Sequence, residues 1–456
     1  MVQNTELYQR LRKQIDTLPV VDSHEHIYMP EEDYLEMEID FTRFFLHYTS
    51  SDLISAGMDL DDMDRIRTAM GRPQTPSAVR QRAAMGHGPL SVPESLSTEQ
   101  KWERIRPYWL KSHNTAYCQA VRRCLRRLYD VEDLLDDTWQ IVTERMRAAQ
   151  RPGIYRSLLK DICNIELSIN DADDMATTDQ ISRMDRELFL PVGRVTHFLD
   201  AWDRVNVAQL EQRLDVSILS WADLLRALDS WFERMVAEHR GGVKIGHAYM
   251  RTLQFADPDE GAARRIFERA FTFNRGASAM EAKPFQDTIL HETLKRCSEF
   301  KLPVIFHTGL QEGNCNLISH ANVTHLIPLF IHYPRVTFDI FHGSYPYLGE
   351  LAAVAKNFPN VRVDLAWLHI IAPHAARRSL HEWLEAVPAN KIHGFGGDYL
   401  MPEAVYGHLD MARENIAVVL AEKVREAYFS EQEALQVAGW LLRDNPRQTF
   451  GLDKLA

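Results

Sequence analysis

The sequence predicts a (β/α)8 TIM-type barrel that carries a large, mostly helical insertion after its first strand. Three observations lead there. Eight short apolar runs recur along the chain, and most are separated by stretches with apolar residues at helical spacing. The runs are apolar through their length, as strands covered on both faces must be. Several of them stop abruptly at His, Lys or Asp. An open doubly wound sheet is the alternative, but no G-x-G-x-x-G follows an early strand.

In chain order, ELYQRLRKQIDT (residues 6–17) has the period of a short amphipathic helix. LPVVDSHEHI then reads as a buried strand running from Leu18 to His24. From about Tyr28 to Leu159, segments such as TAYCQAVRRCLRRLYD and VEDLLDDTWQIVTERMRAAQ are helical in period. The link GRPQTPSAVRQRAAMGHGPLSVPESLS, rich in Gly, Pro and Ser, reads as loop. The expected organisation is one barrel domain over 1–456, with 28–160 as a helical insertion serving as lid or oligomer interface. Later strands are expected near 164–171, 188–200, 242–250, 302–309, 336–343, 361–367 and 391–398, with helices between most of them.

In a barrel the C-terminal ends of all strands converge on one face, where active sites lie. The first strand ends in His24-Glu25-His26, the fourth carries Lys244, the fifth reaches His307, the sixth His342 and the eighth Asp398. His24 and His26 are two apart, so on an extended strand they point to the same side. With Asp398 from the last strand they make a three-donor candidate site for a divalent cation. Nitrogen and oxygen donors suit zinc, manganese or iron. Taken singly, each residue has a structural reading: a hydrogen-bonded His pair, a turn Asp after Gly-Gly, a snorkelling Lys. Their coincidence on one face points to a metal enzyme.

On these residues the chain resembles the amidohydrolase superfamily, whose pattern is His-x-His, Lys, His, His and Asp on strands one, four, five, six and eight. FHTGLQEGN, FHGSYPYLGELAAVAKNFPNVRVDLAW and NKIHGFGGDYLMPEAVYG are similar to the amidohydrolase-2 branch, in particular to the amidohydrolase-like domain found ahead of glutamine-synthetase-like domains. The helical insertion resembles that of uronate isomerases. The resemblance implies one divalent ion, zinc first and Mn2+ or Fe2+ next, on His24, His26 and Asp398 with His307 close by. It implies proton transfer by Asp398 and carbonyl polarisation by His342. A carboxylated Lys244 would bridge two ions, with His307 and His342 on the second; an unmodified Lys244 would instead meet a substrate carboxylate. The two readings of Lys244 stay open.

Substrate contacts are expected from His247 and Tyr249, which follow Lys244, and from Trp367, with His369 and His374 after it. Arg251, Arg275 and Arg377 are placed to clamp a carboxylate, although a solvated Arg is the ordinary reading of each. Phe44, Phe45, Trp102, Tyr108 and Trp109 either form a lid over the mouth or build the insertion's own core. Arg122, Arg123, Arg126 and Arg127 form a basic helix stripe facing solvent or the acidic run Glu132-Asp133 and Asp136-Asp137.

The 456 residues are 45% hydrophobic and 25% charged, enough for a large core and against disorder. Lys plus Arg is 52 and Asp plus Glu 64, a net charge of −12 that argues against a nucleic-acid partner. Five scattered cysteines without a C-x-x-C pair suit reduced thiols and exclude a Cys-rich zinc site. With no apolar leader and no apolar stretch of membrane length, a cytoplasmic location, no membrane partner and a homo-oligomer are expected. The leading functional expectation is hydrolysis of a C–N or ester bond in a small carboxylated molecule through metal-activated water. A non-oxidative decarboxylase, a uronate-type isomerase and a catalytically silent binding barrel are the alternatives.

Overall fold

The computed structural model describes residues 3, 5–70, 79, 82–88, 96–172, 176–272 and 277–454. Among these, nine short strands are separated by helices. In chain order they are β1 (Val20–Glu25), β2 (Ile165–Asn170), β3 (Phe189–Pro191), β4 (Gly193–Arg194), β5 (Val243–Ile245), β6 (Val304–Phe306), β7 (Phe338–Ile340), β8 (Val361–Asp364) and β9 (Ile392–His393). The helices used below are α1 (Glu6–Ile15), α2 (Tyr48–Ser55), α3 (Thr98–Ser112), α4 (Ala116–Tyr129), α5 (Trp139–Ala149), α6 (Trp221–Ala237), α7 (Lys283–Phe300), α8 (Leu348–Asn357), α9 (Pro373–Ala386) and α10 (Val405–Arg425). This is the expected alternation of strand and helix.

The strands are shorter than the apolar runs that mark them. The run expected at 188–200 is two strands, β3 and β4, and then turns into the helix Thr196–Leu199. The long helical stretch before β5 is two helices, Arg204–Leu214 and α6, because Asp215 adopts a left-handed conformation at φ 55° and ends the first.

The chain divides into two units. The first comprises Met1–Leu190, Leu310–Ile318 and Asp364–Pro446. Here β1 pairs in parallel with β2, and all six residues of β1 are buried. Helix α1 starts at the Thr5 cap, whose hydroxyl accepts from the Tyr8 amide, and buries Tyr8, Leu11 and Ile15 on one face. The insertion lies between β1 and β2 and holds α2 to α5. Its aromatic side chains build its own interior: Phe41 meets Trp102 at 5.7 Å and Trp139 at 5.8 Å, and Phe45 meets Trp109 at 5.5 Å. Phe44, Phe45, Trp102 and Trp109 are all buried. Each such ring contributes about 1.5–3 kcal/mol by leaving water.

A buried ion pair ties the insertion to the segment after β9. Arg43 Nε donates to Glu403 Oε1 at 3.0 Å, and the Tyr34 hydroxyl donates to the same oxygen at 2.9 Å. Burial works against the Arg43 charge, and Glu403 outweighs it, so the guanidinium is held above its usual range. The basic stripe on α4 is only partly paired as expected. Arg126 meets Glu132 and Arg122 meets Asp133, but Arg123 turns to Asp410 and Glu414 of α10.

The second unit comprises Pro191–Gly309, Ser319–Val363 and Arg447–Ala456. Strands β4 to β8 pair in parallel in chain order. Helix α7 fills the interval from β5 to β6 and α8 that from β7 to β8. Cys118, Cys124, Cys163 and Cys297 are buried free thiols, and Cys315 is exposed. Among the described residues no helix is long and apolar enough to cross a membrane.

Candidate metal centre

The end of β1 and the loop after β9 build one cluster in the first unit. His24 and His26 stand edge to face, ring centroids 4.6 Å apart. Both reach the same oxygen: His24 Nε2 and His26 Nε2 each lie 3.3 Å from Asp398 Oδ1. His24 is 1% exposed and Asp398 4%. The outer nitrogen of His26, Nδ1, is 2.9 Å from the carbonyl of Asp171, to which it donates. That bond leaves the Nε2 lone pair facing Asp398, the tautomer a metal-binding imidazole needs.

The backbone explains why the carboxylate sits there. Asp398 adopts φ 58°, the left-handed region that a non-glycine residue rarely enters. Its amide donates to the His24 carbonyl at 2.7 Å. On either side, Gly397 N donates to Asp22 Oδ1 at 3.0 Å and Tyr399 N to Glu25 Oε2 at 2.7 Å. From α10, His408 Nδ1 lies 3.1 Å from the Gly397 carbonyl and donates to it. A Cβ on Gly397 would come within 1.9 Å of Glu25 Oε1, so only glycine lets the loop lie this close to β1.

Beneath the loop, Asp22 and Glu25 form a buried pair of carboxyl groups. Burial pushes Asp22 up to about 6, against hydrogen bonds from Glu25 and the Gly397 and His24 amides. Burial and the neighbouring Asp22 charge push Glu25 well above the usual carboxylate range. Glu25 therefore holds the proton and Asp22 receives it. Behind them, His369 Nε2 donates to the Gly394 carbonyl at 2.9 Å and its Nδ1 accepts from Asn415 at 3.2 Å. Burial keeps His369 neutral, down to about 4.

The insertion also reaches this loop. His47 packs on Tyr48 at 3.9 Å, and both approach Tyr399, the residue after Asp398, at 6.2 and 5.5 Å. Tyr48 stacks on Trp367 at 4.4 Å, and Tyr117 lies parallel to the same indole at 6.4 Å. Sequence reading placed Trp367 in the wall but missed His47, Tyr48, Asp171, Glu25 and His408. Asp171 carried a legible signal, since the second strand also ends in polar residues, Asn170-Asp171. A lone His47 in a helical stretch carried none.

In the second unit, His307 and His342 meet, Nδ1 to Nε2 at 3.0 Å. Tyr249 lies on His307 at 4.6 Å. Lys244 is buried on β5 with its ammonium 4.2 Å from the centre of the Phe341 ring. His342 sits in a turn at φ 64° directly after β7. His247 Nε2 lies 3.3 Å from Asp200 Oδ1. Burial pushes the Asp200 carboxyl up, but His247 outweighs it and holds it below the usual range. Arg251 is occupied by an ion pair with Asp287 at 2.8 Å and lies over the Phe255 ring. Arg275 lies outside the described residues.

The donor set fits a divalent ion. Donor atoms of His24, His26 and Asp171 lie within 4.8 Å of one another, and Asp398 Oδ1 meets both imidazoles. Two imidazoles aimed at one carboxylate oxygen, one of them oriented by a backbone carbonyl, are the arrangement such an ion requires.

The amidohydrolase family model matches residues 174–452, which leaves out the first strand and the insertion. Protein fluG of Emericella nidulans is 29% identical over 47% of this chain, and the match spans about a quarter of that relative, 26%. The uronate isomerase of Brucella canis is 23% identical over 98% of this chain and 97% of its own length. Among solved structures, the uronate isomerase of Thermotoga maritima is similar with a TM-score of 0.72 at 16% identity, covering 98% of both chains. That likeness establishes the fold class: the TIM-type barrel with its insertion.

Proposed function

The chain belongs to the amidohydrolase family, and from that premise we propose that it is a metal-dependent isomerase of sugar acids, of the uronate type. What carries the reading is the reach of the likeness. The uronate isomerases match over 98% of the chain, insertion included, whereas protein fluG matches over 47%. Hydrolysis, the leading expectation from sequence, has the family's name in its favour but not this full-length match.

In this proposal His24, His26 and Asp398 hold one divalent ion, zinc first. A bound cation supplies polarisation of a substrate oxygen and so acidifies the neighbouring C–H. Isomerising an aldehyde to a ketone removes a proton from one carbon and delivers it to its neighbour; no water is consumed. Asp398 is the carboxylate at hand to carry that proton, held by its own amide and by the bonds to Gly397 and Tyr399. Tyr48, His47 and Trp367 offer aromatic faces to the C–H side of a sugar. Lys244, His307 and His342 keep the roles read from the sequence: a partner for the substrate carboxylate, and proton transfer or polarisation of the carbonyl. Cytoplasmic location and a homo-oligomer belong to the same proposal.

The test is incubation with D-glucuronate or D-galacturonate in D2O, followed by NMR. A keto-acid product supports the reading. No turnover of either uronate, with turnover of an amide or ester and uptake of 18O from water, restores the hydrolase. Stoichiometric CO2 release points to the decarboxylase.

A further inference from the structure

A second cavity lies in the first unit, away from the metal donors. It has a volume of ≈ 480 Å³, within the range of small-ligand pockets. Its walls come from α2, the start of α4, the turn after Trp367, α9 and α10, and none of His24, His26 or Asp398 lines it.

Its charges do not cancel internally. Arg123 on the wall is matched by Asp410 and by Glu414 at 2.6 Å. Arg377, by contrast, has no ion pair or hydrogen bond among the described residues, yet it lines the cavity. On the opposite charge, Asp52 Oδ2 is buried without a hydrogen-bond partner. Burial pushes the Asp52 carboxyl up to about 6, with Thr115 drawing it partly back. One cation and one acid therefore wait for partners in the same space. Ala116 and Tyr117, the first residues of α4, also line it, and the amides of a helix start favour an anion. Ile370, Ile371 and Met411 supply an apolar wall.

We propose that this cavity binds a small zwitterion of the α-amino-acid class, its carboxylate on Arg377 and its ammonium on Asp52, with the side chain against Ile370, Ile371 and Met411. A simple carboxylate would satisfy Arg377 and leave Asp52 beside a second anion. A simple amine would do the reverse. Only a molecule bearing both charges completes both sides. The inference is independent of the reaction catalysed at Asp398.

The experiment is isothermal titration of the full chain with each standard L-α-amino acid, and with propionate and n-propylamine as half-ligands. At least one amino acid binds with Kd below about 1 mM, and both half-ligands bind at least about tenfold more weakly. Arg377→Met and Asp52→Asn each weaken that binding by about tenfold or more. Ile371→Trp, which fills the cavity without touching either charge, does the same and serves if a charge variant fails to fold. His24→Ala/His26→Ala leaves the affinity unchanged. The proposal is overturned if no amino acid binds, if propionate binds as well as the amino acid, if the three cavity variants bind normally, or if the His24/His26 variant loses binding.

Discussion

The amide of Asp398 donates to the carbonyl of His24 at 2.7 Å. This bond ties the loop that brings the carboxylate to the strand that brings the imidazoles, so the three donors move together. Replacing both rings, in His24→Ala/His26→Ala, is expected to reduce bound divalent metal to a small fraction of the wild-type content and activity by roughly 10²-fold or more. Elemental analysis of the purified variant checks it; an unchanged metal content rejects the ligand set.

Gly397→Ala tests the same approach from the backbone. The added methyl would stand 1.9 Å from Glu25 Oε1. The expected cost is about 2–4 kcal/mol, read as a lower urea midpoint, together with loss of activity. Gly439→Ala is the control: nothing lies within 4 Å of its Cβ position in a helix. It should stabilise by about 0.5–1 kcal/mol.

Tyr48 is the insertion's contact with Trp367. Tyr48→Ala removes a fully buried ring and is expected to cost about 3–5 kcal/mol. Tyr48→Phe keeps the stack and should cost less than about 1.5 kcal/mol. Equal losses in the two variants, measured by denaturant unfolding, would show that stacking is not what Tyr48 contributes.

Asp52 gives a pH dependence with a definite sign. Its folded pKa is raised to about 6 from 3.8, so the fold favours the protonated form. The stability this carboxyl contributes is full below pH 3.8 and is lost as pH rises through 6. Asp52→Asn does not titrate. Its stability relative to the wild type should therefore climb between about pH 4 and 6 and level off above 7, by about 1–3 kcal/mol. A flat difference from pH 4 to 8 contradicts this placement of Asp52.

His369 runs the other way. Burial lowers it to about 4 from 6.5. The stability that its neutral ring contributes is full above pH 6.5 and is lost as pH falls through 4. NMR titration should find the ring neutral at pH 5.5. A midpoint near 6.5 would mean that its bonds to Gly394 and Asn415 are not formed.

His24, His26 and Asp398 were legible because each breaks an apolar run, and a polar residue at a buried strand end needs a reason to be there. Lys244, His307 and His342 were legible in the same way. The supporting residues were not. His408 lies mid-helix on α10, and His47 and Tyr48 begin a short helix inside the insertion; their roles come from partners hundreds of residues away, which no local period encodes. Arg251 shows the converse: a loop arginine after a strand suggests a carboxylate clamp, while its actual partner, Asp287, sits on a later helix. The insertion's aromatics were readable as core or lid, and tertiary packing resolves them as core. Strand lengths were overestimated because apolar runs continue into the turns that follow, as at Arg194.

The pairing of Arg43 with Glu403 bears on any attempt to engineer a minimal catalyst from this chain. Excising 28–160 would strip Glu403 of both its guanidinium and its phenol, stranding a naked anion in the interior only five residues beyond Asp398. A shortened version would have to neutralise that position first, with Glu403→Gln or an aliphatic replacement, before the loop would settle. In evolutionary terms, the appendage and the catalytic loop can change only in step.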